Sequence, residues 1–187
     1  MPARCFPVWG LPEEAIVVSA LLRYLLRMQQ IELNGAYQAR LATPFAVLGI
    51  RHGGDYLTGI EFLPRKTRPL SPQTRFAEKV SKQLEAYLGD PDVHFDLPLR
   101  LNGTAFQRRV WQAIMQIPRG RTLSYGELAR QLFSGPRAVG QACGANPICI
   151  IVPCHRVLGS GNLGGFMRSD AGDPLAIKRW LLDHERS

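Results

Sequence analysis

Residues 124–145 read SYGELARQLFSGPRAVGQACGA, and the second half of the fold turns on them. Ser124 caps a helix over Tyr125–Phe133, because a serine hydroxyl can accept one of the N–H groups that a first helical turn leaves unpaired. Ser134-Gly135-Pro136 breaks that run. Pro136 then heads a second helix over Arg137–Ala145, since the N–H that proline lacks has no partner at that position anyway. Two helices with a short Gly-containing turn between them spell a helix-turn-helix. Much of the second helix is small: Ala138, Gly140, Ala142, Gly144 and Ala145. Small side chains allow close approach to another surface, whether a protein core or a DNA groove.

Downstream, Asn146-Pro147 ends the second helix, and Ile148–Val152 reads as a buried extended run leading into Pro153-Cys154-His155-Arg156-Val157. Gly159, Gly161, Gly164 and Gly165 make a pliable loop, and a last helix, Pro174–His184, follows Asp173 and buries Ile177, Trp180 and Leu181. Upstream, Thr104 caps a helix with Phe106, Val110, Ile114 and Ile117 on one face and Trp111 beside them, stopped by Pro118-Arg119-Gly120. Further back, Ala36–Leu41, Phe45–Arg51 and Tyr56–Phe62 are short runs rich in β-formers. They are separated by Thr43-Pro44 and Gly53-Gly54-Asp55, so they predict a small antiparallel sheet. Ser71-Pro72 predicts the start of a helix whose Phe76, Val80, Leu84 and Leu88 face the sheet, and Gly89-Asp90-Pro91 stops it. The fold class is α+β. Residues 1–30 form an N-terminal extension, 31–101 a small α/β domain, and 102–187 a mostly helical, winged-helix-like domain.

With 187 residues, 45% apolar and 20% charged, the chain is an ordinary globular one, which excludes disorder, collagen and coiled coil. Its net charge of +8 is uneven. Residues 1–101 carry 12 basic and 10 acidic side chains; residues 102–187 carry 11 and 5, and ten of those eleven are Arg. An Arg-rich half suits a polyanion, because the guanidinium forks onto phosphate, although a solvated surface explains the charge as well. Four cysteines (Cys5, Cys143, Cys149, Cys154) are too few for a disulfide framework, which points to reduced thiols and the cytoplasm. The apolar stretch Ala15–Leu26 is too short to span a bilayer and reads as an amphipathic helix, or as a leader ahead of an internal start at Met28.

Chemistry concentrates at Cys154, a thiol preceded by Pro and followed by His and Arg. A thiol is mostly protonated at pH 7, and neighbouring cations lower its pKa. Cys143 and Cys149 fit the blander pattern of inert buried cysteines. Cys143, Cys149, Cys154 and His155 are also four potential zinc ligands, but they lack the paired spacing of structural zinc. A cysteine hydrolase would need a histidine from elsewhere, and His52, His94 and His184 have no context that marks them for it.

The run Asn146-Pro147 through Val152-Pro153-Cys154-His155-Arg156-Val157 resembles the active-site signature of the O6-alkylguanine-DNA alkyltransferases, also called methylated-DNA–protein-cysteine methyltransferases. So do Gly103-Thr104-Ala105-Phe106-Gln107 through Val110-Trp111, Ser124-Tyr125-Gly126-Glu127-Leu128-Ala129, Arg137-Ala138-Val139-Gly140, and the closing Lys178 to Glu185. The resemblance covers residues 102–187. It implies irreversible, single-turnover transfer of an alkyl group from O6 of a flipped-out guanine in double-stranded DNA to Cys154, and leaves repair of O4-alkylthymine open. His155 is then the base, acting through a bridging water, and Glu185 orients it. Asn146 braces the cysteine loop, and Tyr125 contacts the base and helps neutralise the departing guanine. Arg137 fills the vacated stack, and Ala138 and Gly140 bring the same helix against DNA. Val157, Phe166 and Met167 shape the base pocket. Met167 and the polar Arg168–Pro174 depart from the family pattern, which bears on substrate range. The resemblance implies no cofactor, no metal, no membrane, and a monomer on DNA. Related lesion-binding proteins lack the acceptor cysteine, which this chain has.

Overall fold

The computed structural model describes residues 37–166 and 173–186. The helix expected over Ala15–Leu26, the start at Met28, Met167 and residues 168–172 lie outside the described residues. Three strands, β1 (Ala39–Ala42), β2 (Val47–Gly53) and β3 (Tyr56–Leu63), form an antiparallel sheet in chain order, with Ala39 opposite Ile50 and Leu48 opposite Phe62. Gly53 pairs with Tyr56, so the β2–β3 hairpin closes through the two residues Gly54 and Asp55. Such a tight loop needs positive φ, and Gly54 supplies it at +61°.

Helix α1 (Arg75–Gly89) crosses this sheet, packing on β1 and β2. Its cap is Thr74, whose hydroxyl accepts from the Ala77 N–H, and not Ser71 as the sequence predicts. The backbone of Leu70 is paired with Arg40, and the Gln73 N–H bonds to the Gln38 carbonyl. The chain is therefore held extended past Ser71 and can coil only afterwards. The buried face is Ala77, Val80, Ser81, Leu84 and Tyr87, with Phe76 and Leu88 at its margins instead of its centre.

Helix α2 (Ala105–Met115) starts where expected, with Thr104 and Gln107 capping each other reciprocally. A second capping box, Ser124 with Glu127, opens α3 (Tyr125–Gln131). That helix ends two residues short of Phe133. The Ser134 N–H reaches the Ala129 carbonyl at 2.9 Å and the Phe133 N–H reaches Arg130 at 3.2 Å. This is a Schellman stop with Phe133 in the left-handed position (φ 51°). Helix α4 (Pro136–Gly144) follows and packs on both α2 and α3, with the Trp111 indole N–H donating to the Ala142 carbonyl at 2.8 Å. Helix α5 (Pro174–His184) is capped by Asp173 and buries Ile177, Lys178, Leu181 and Leu182; Trp180 is only half-buried, stacked on His184.

The segment Ile148–Val152 is buried but not extended, contrary to expectation. The Val152 N–H bonds back to the Ile148 carbonyl at 2.9 Å, and Ile150 turns through φ 73°. The physical cause is Asn146, whose carboxamide accepts from the Ile148 N–H (3.0 Å) and donates to the Val152 carbonyl (2.8 Å). One side chain thus ties both ends of the segment and folds it into a turn. The edge strand β3 meets this turn directly, the Ile60 N–H donating to the Pro147 carbonyl at 2.8 Å. Residues from the sheet, helices α1 to α5 and the cysteine turn share one core.

Candidate active site

Cys154, His155 and Arg156 form a single 3-10 turn, closed by the Val157 N–H on the Cys154 carbonyl. The sequence places Cys154 at the end of a strand, where successive side chains alternate between two faces. A 3-10 turn instead sends them out about 120° apart. Cys154 lines a cavity of about 380 Å³ together with Tyr125, Arg137, Gly140, Cys143 and Phe166. His155 goes inward and is fully buried, and Arg156 lines a different cavity beneath the turn.

Behind the turn, Glu185 takes part in four hydrogen bonds with three residues. His155 Nε2 lies 2.8 Å from Glu185 Oε1, Arg156 donates to both carboxylate oxygens at 2.8 Å, and the Tyr87 hydroxyl donates at 2.9 Å. Burial alone would push the Glu185 carboxyl up; the His155 and Arg156 hydrogen bonds overcome it and hold the pKa well below the usual carboxylate range. An ionised carboxylate only accepts, so the His155 proton sits on Nε2 and Nδ1 is left with its lone pair. Nδ1 is buried and has no hydrogen-bond partner among the described residues. Burial, aided by the nearby Arg156 and Lys178 charges, lowers the His155 pKa despite Glu185, so the ring is neutral at pH 7 and able to take a proton.

The Cys154 thiol is lowered, first by hydrogen bonding from the Cys149 thiol, with Asn146 and the Lys178 charge adding to it and burial opposing. Cys149 is correspondingly raised, so the shared proton rests on Cys149. Burial pushes Cys143 up to about 12, which makes it inert. Cys149 is buried, and its thiol also lies 3.6 Å from the Asn146 carbonyl, to which it can donate. Cys143, Cys149, Cys154 and His155 do not converge as ligands: no group of three or more His, Cys, Asp or Glu side chains among the described residues could hold a metal ion.

The two short strands β4 (Leu123–Ser124) and β5 (Val157–Leu158) pair in parallel, Leu123 with Val157 and Ser124 with Leu158. This pairing brings the first residue of α3, Tyr125, to the exit of the cysteine turn. The Tyr125 hydroxyl donates to the Gly165 carbonyl at 3.1 Å, and burial raises its pKa to about 12. Gly164 is required there: its φ is +65°, and a Cβ would lie 2.7 Å from the Tyr125 ring. Arg137, exposed at the head of α4, reaches the mouth of the cavity and makes no ion pair with a described residue. Ala138 is half-buried, and Gly140 approaches the Tyr125 ring, its absent Cβ falling 3.9 Å away. Phe166 is buried edge-on against Phe62. The Val157 carbonyl already accepts from Lys178 at 2.7 Å.

Three site residues carry no assignment from sequence: Tyr87, Arg156 and Lys178. Tyr87 and Lys178 each leave a trace, since Lys178 stands between Ile177 and Leu181 on the apolar stripe of α5, and Tyr87 continues the stripe of α1. A lysine in such a stripe needs partners inside the protein. Arg156 leaves none beyond its neighbourhood to Cys154.

The family described as 6-O-methylguanine DNA methyltransferase, DNA binding domain, matches residues 105–187. The chain is 41% identical over 152 residues to the methylated-DNA–protein-cysteine methyltransferase of Mycobacterium bovis, covering 78% of this chain and 89% of that protein. It is 37% identical over 159 residues to the one of Methanosarcina acetivorans, covering 81% and 99%. The crystal structure of Mycobacterium tuberculosis O6-methylguanine methyltransferase is similar with a TM-score of 0.67 at 38% identity, over 79% of this chain and 90% of that one. The same organism's protein in complex with DNA gives 0.68 at 40%, over 79% and 91%. With the fold, the matched signature and most of both chain lengths in agreement, the chain belongs to the methylated-DNA–protein-cysteine methyltransferase family.

Proposed function

We propose that the protein repairs alkylated double-stranded DNA by moving the alkyl group from O6 of guanine to Cys154, once per molecule, on a base rotated out of the duplex. The observation that carries this reading is the pairing of a lowered thiol at the wall of a base-sized cavity with a neutral His155 held by Glu185 behind it. Nδ1 of His155 takes the Cys154 proton through a water. Sγ then forms a bond to the alkyl carbon as the carbon–O6 bond breaks, and the electron pair leaves with the guanine. Tyr125 donates its hydroxyl hydrogen bond to that departing base, and its high pKa keeps the donor protonated. A thioether is a poor leaving group, so the acceptor is not regenerated.

Flipping is needed because the alkyl carbon cannot be reached inside the stack. Arg137, which lines the cavity and makes no ion pair with a described residue, is suited to fill the vacated space, since its planar cation both stacks and hydrogen-bonds. The α3–α4 pair acts as the helix-turn-helix, with Ala138 and Gly140 against the groove, and Phe166 walls the base, while Val157 is fully buried and does not line the cavity. Incubation with duplex DNA containing O6-methylguanine should add one methyl mass to the protein, on the peptide holding Cys154, and Cys154→Ala should add none. A methyl on Cys143 or Cys149, or many products per protein molecule, would overturn the assignment.

A further inference from the structure

Lys178 is a charged side chain with no exposure at all, which in a core demands a full set of partners. Its ammonium donates to three carbonyls: Val157 at 2.7 Å, Leu163 at 2.6 Å and Gly165 at 3.0 Å. These three residues are successive points along the loop that leaves the cysteine turn and brings Gly165 and Phe166 to the cavity wall. The ammonium also lies 5.8 Å from the centre of the Tyr125 ring and 5.9 Å from that of Phe166. Nothing in capping, strand pairing or packing requires a lysine there, and burying one is costly.

Gly165 O is the junction that gives the arrangement a use. It accepts from the Tyr125 hydroxyl and from Lys178 together. For Tyr125 to turn its hydroxyl to a base, it must release this carbonyl. Were Tyr125 the sole donor, release would strand a carbonyl at the cavity wall, a cost that would add to the barrier of the transfer step. With Lys178 in place, the carbonyl stays satisfied while Tyr125 lets go.

Resting on the alkyl-transfer reading above, we propose that Lys178 is a positioning residue for that reaction: its ammonium clamps the cavity wall through Val157, Leu163 and Gly165 and so frees the Tyr125 hydroxyl to serve the departing guanine. The clamp works only while the nitrogen is protonated. Burial lowers the Lys178 pKa to about 8, against the opposing pull of Cys154 and Cys143. The other groups facing it do not give a loss of rate there, since release of the Cys154 proton makes the nucleophile and raises the rate. Tyr125 on α3 and Cys143 on α4 are both raised to about 12, while Cys154 and His155 on the 3-10 turn are lowered. An alkaline fall centred near pH 8 is therefore the mark of Lys178 among the described residues.

The test is the saturated single-turnover rate of methyl transfer from O6-methylguanine duplex DNA between pH 6.5 and 9.5. In the wild type the rate should fall about tenfold from pH 8 to pH 9.5 or a little beyond. Lys178→Met should be about 30-fold slower at pH 7 and show no alkaline fall, whereas Lys178→Arg, charged throughout, should keep its rate up to pH 9.5. Amide hydrogen exchange, which needs no DNA, should speed up in Lys178→Met over residues 157–165 while α5 stays protected. An alkaline fall that persists in Lys178→Met, or a wild-type rate that is flat above pH 8, overturns the clamp and leaves alkyl transfer standing. Absence of any methyl on wild-type Cys154 overturns the transfer reading, and the role of Lys178 in it, together.

Discussion

At the scale of single residues, the Cys154 thiol is set by what donates to it. Cys154 is lowered first by the thiol of Cys149, which sits across the turn that Asn146 ties together. A neutral donor beside a thiolate stabilises the charged form without adding charge of its own, and this matters in a buried site where desolvation works the other way. Cys149→Ala removes that donor with little change in volume. The expected outcome is a Cys154 pKa moved upward, read as a shift to higher pH of the midpoint for alkylation by iodoacetamide, with transfer at pH 7 slowed in proportion to the lost thiolate. Cys143 serves as an internal control, because a thiol held near 12 stays unreactive over the same range. An unchanged midpoint would mean that Asn146 and Lys178 suffice and that Cys149 only packs.

At the scale of elements, the clearest departure from expectation is instructive about what a sequence encodes. Phe133 reads as the last apolar residue of a helix, yet it is 96% exposed and left-handed, closing α3 in a position that glycine usually takes. An L-residue there costs on the order of 1 kcal/mol, and the exposed ring recovers nothing from burial. Phe133→Gly should therefore stabilise the protein by about 1 kcal/mol and raise its melting temperature by a few degrees. A lower melting temperature would show that the ring has a structural partner. Local signals were legible wherever the cause was local. The caps at Thr104, Ser124 and Asp173, the Pro136 helix start and the Gly54 hairpin all follow from neighbours in sequence. They failed where a distant partner decides. Ser71 lost its cap because Leu70 pairs with Arg40, and Ile148–Val152 turned back because one carboxamide spans it. The site divides the same way: the motif residues carry a resemblance, whereas Tyr87 and Lys178 take their roles from partners 98 residues away, for Tyr87 and Glu185, and 13 to 21 away, for Lys178 and its carbonyls.

At the scale of the whole molecule, the Tyr87–Glu185 bond joins α1, on the sheet, to the residue just past α5, so the carboxylate behind the cysteine is part of the global fold. Several buried groups with displaced pKa values then make stability depend on pH in a way that can be worked out by sign. Glu185 and His155 are both lowered, so the unfolded chain binds more protons than the native one as pH falls. His155 begins to cost stability once pH drops below its ordinary value of 6.5, and Glu185 adds to that below 4.5. Lys178 and Cys154 are lowered as well. Between about 8 and 10.5 the unfolded lysine holds a proton that the native one has released, so stability rises with pH there, and Cys154 contributes likewise up to its ordinary value of 9.0. Cys143, Cys149, Tyr37, Tyr87 and Tyr125 are all raised, which reverses the slope above about 9 to 10, where the unfolded chain loses protons that the native protein keeps. Urea midpoints measured from pH 5 to 11 should therefore pass through a maximum near pH 9, not at neutrality. On the proposed clamp, alkyl transfer needs the protonated lysine and should already be declining there. In Lys178→Met the rise between pH 8 and 9 should shrink to the part owed to Cys154, because a thioether side chain has no proton to release. A wild-type maximum at or below pH 7 would mean that Lys178 is hydrated in solution and that its three carbonyls do not hold it out of water.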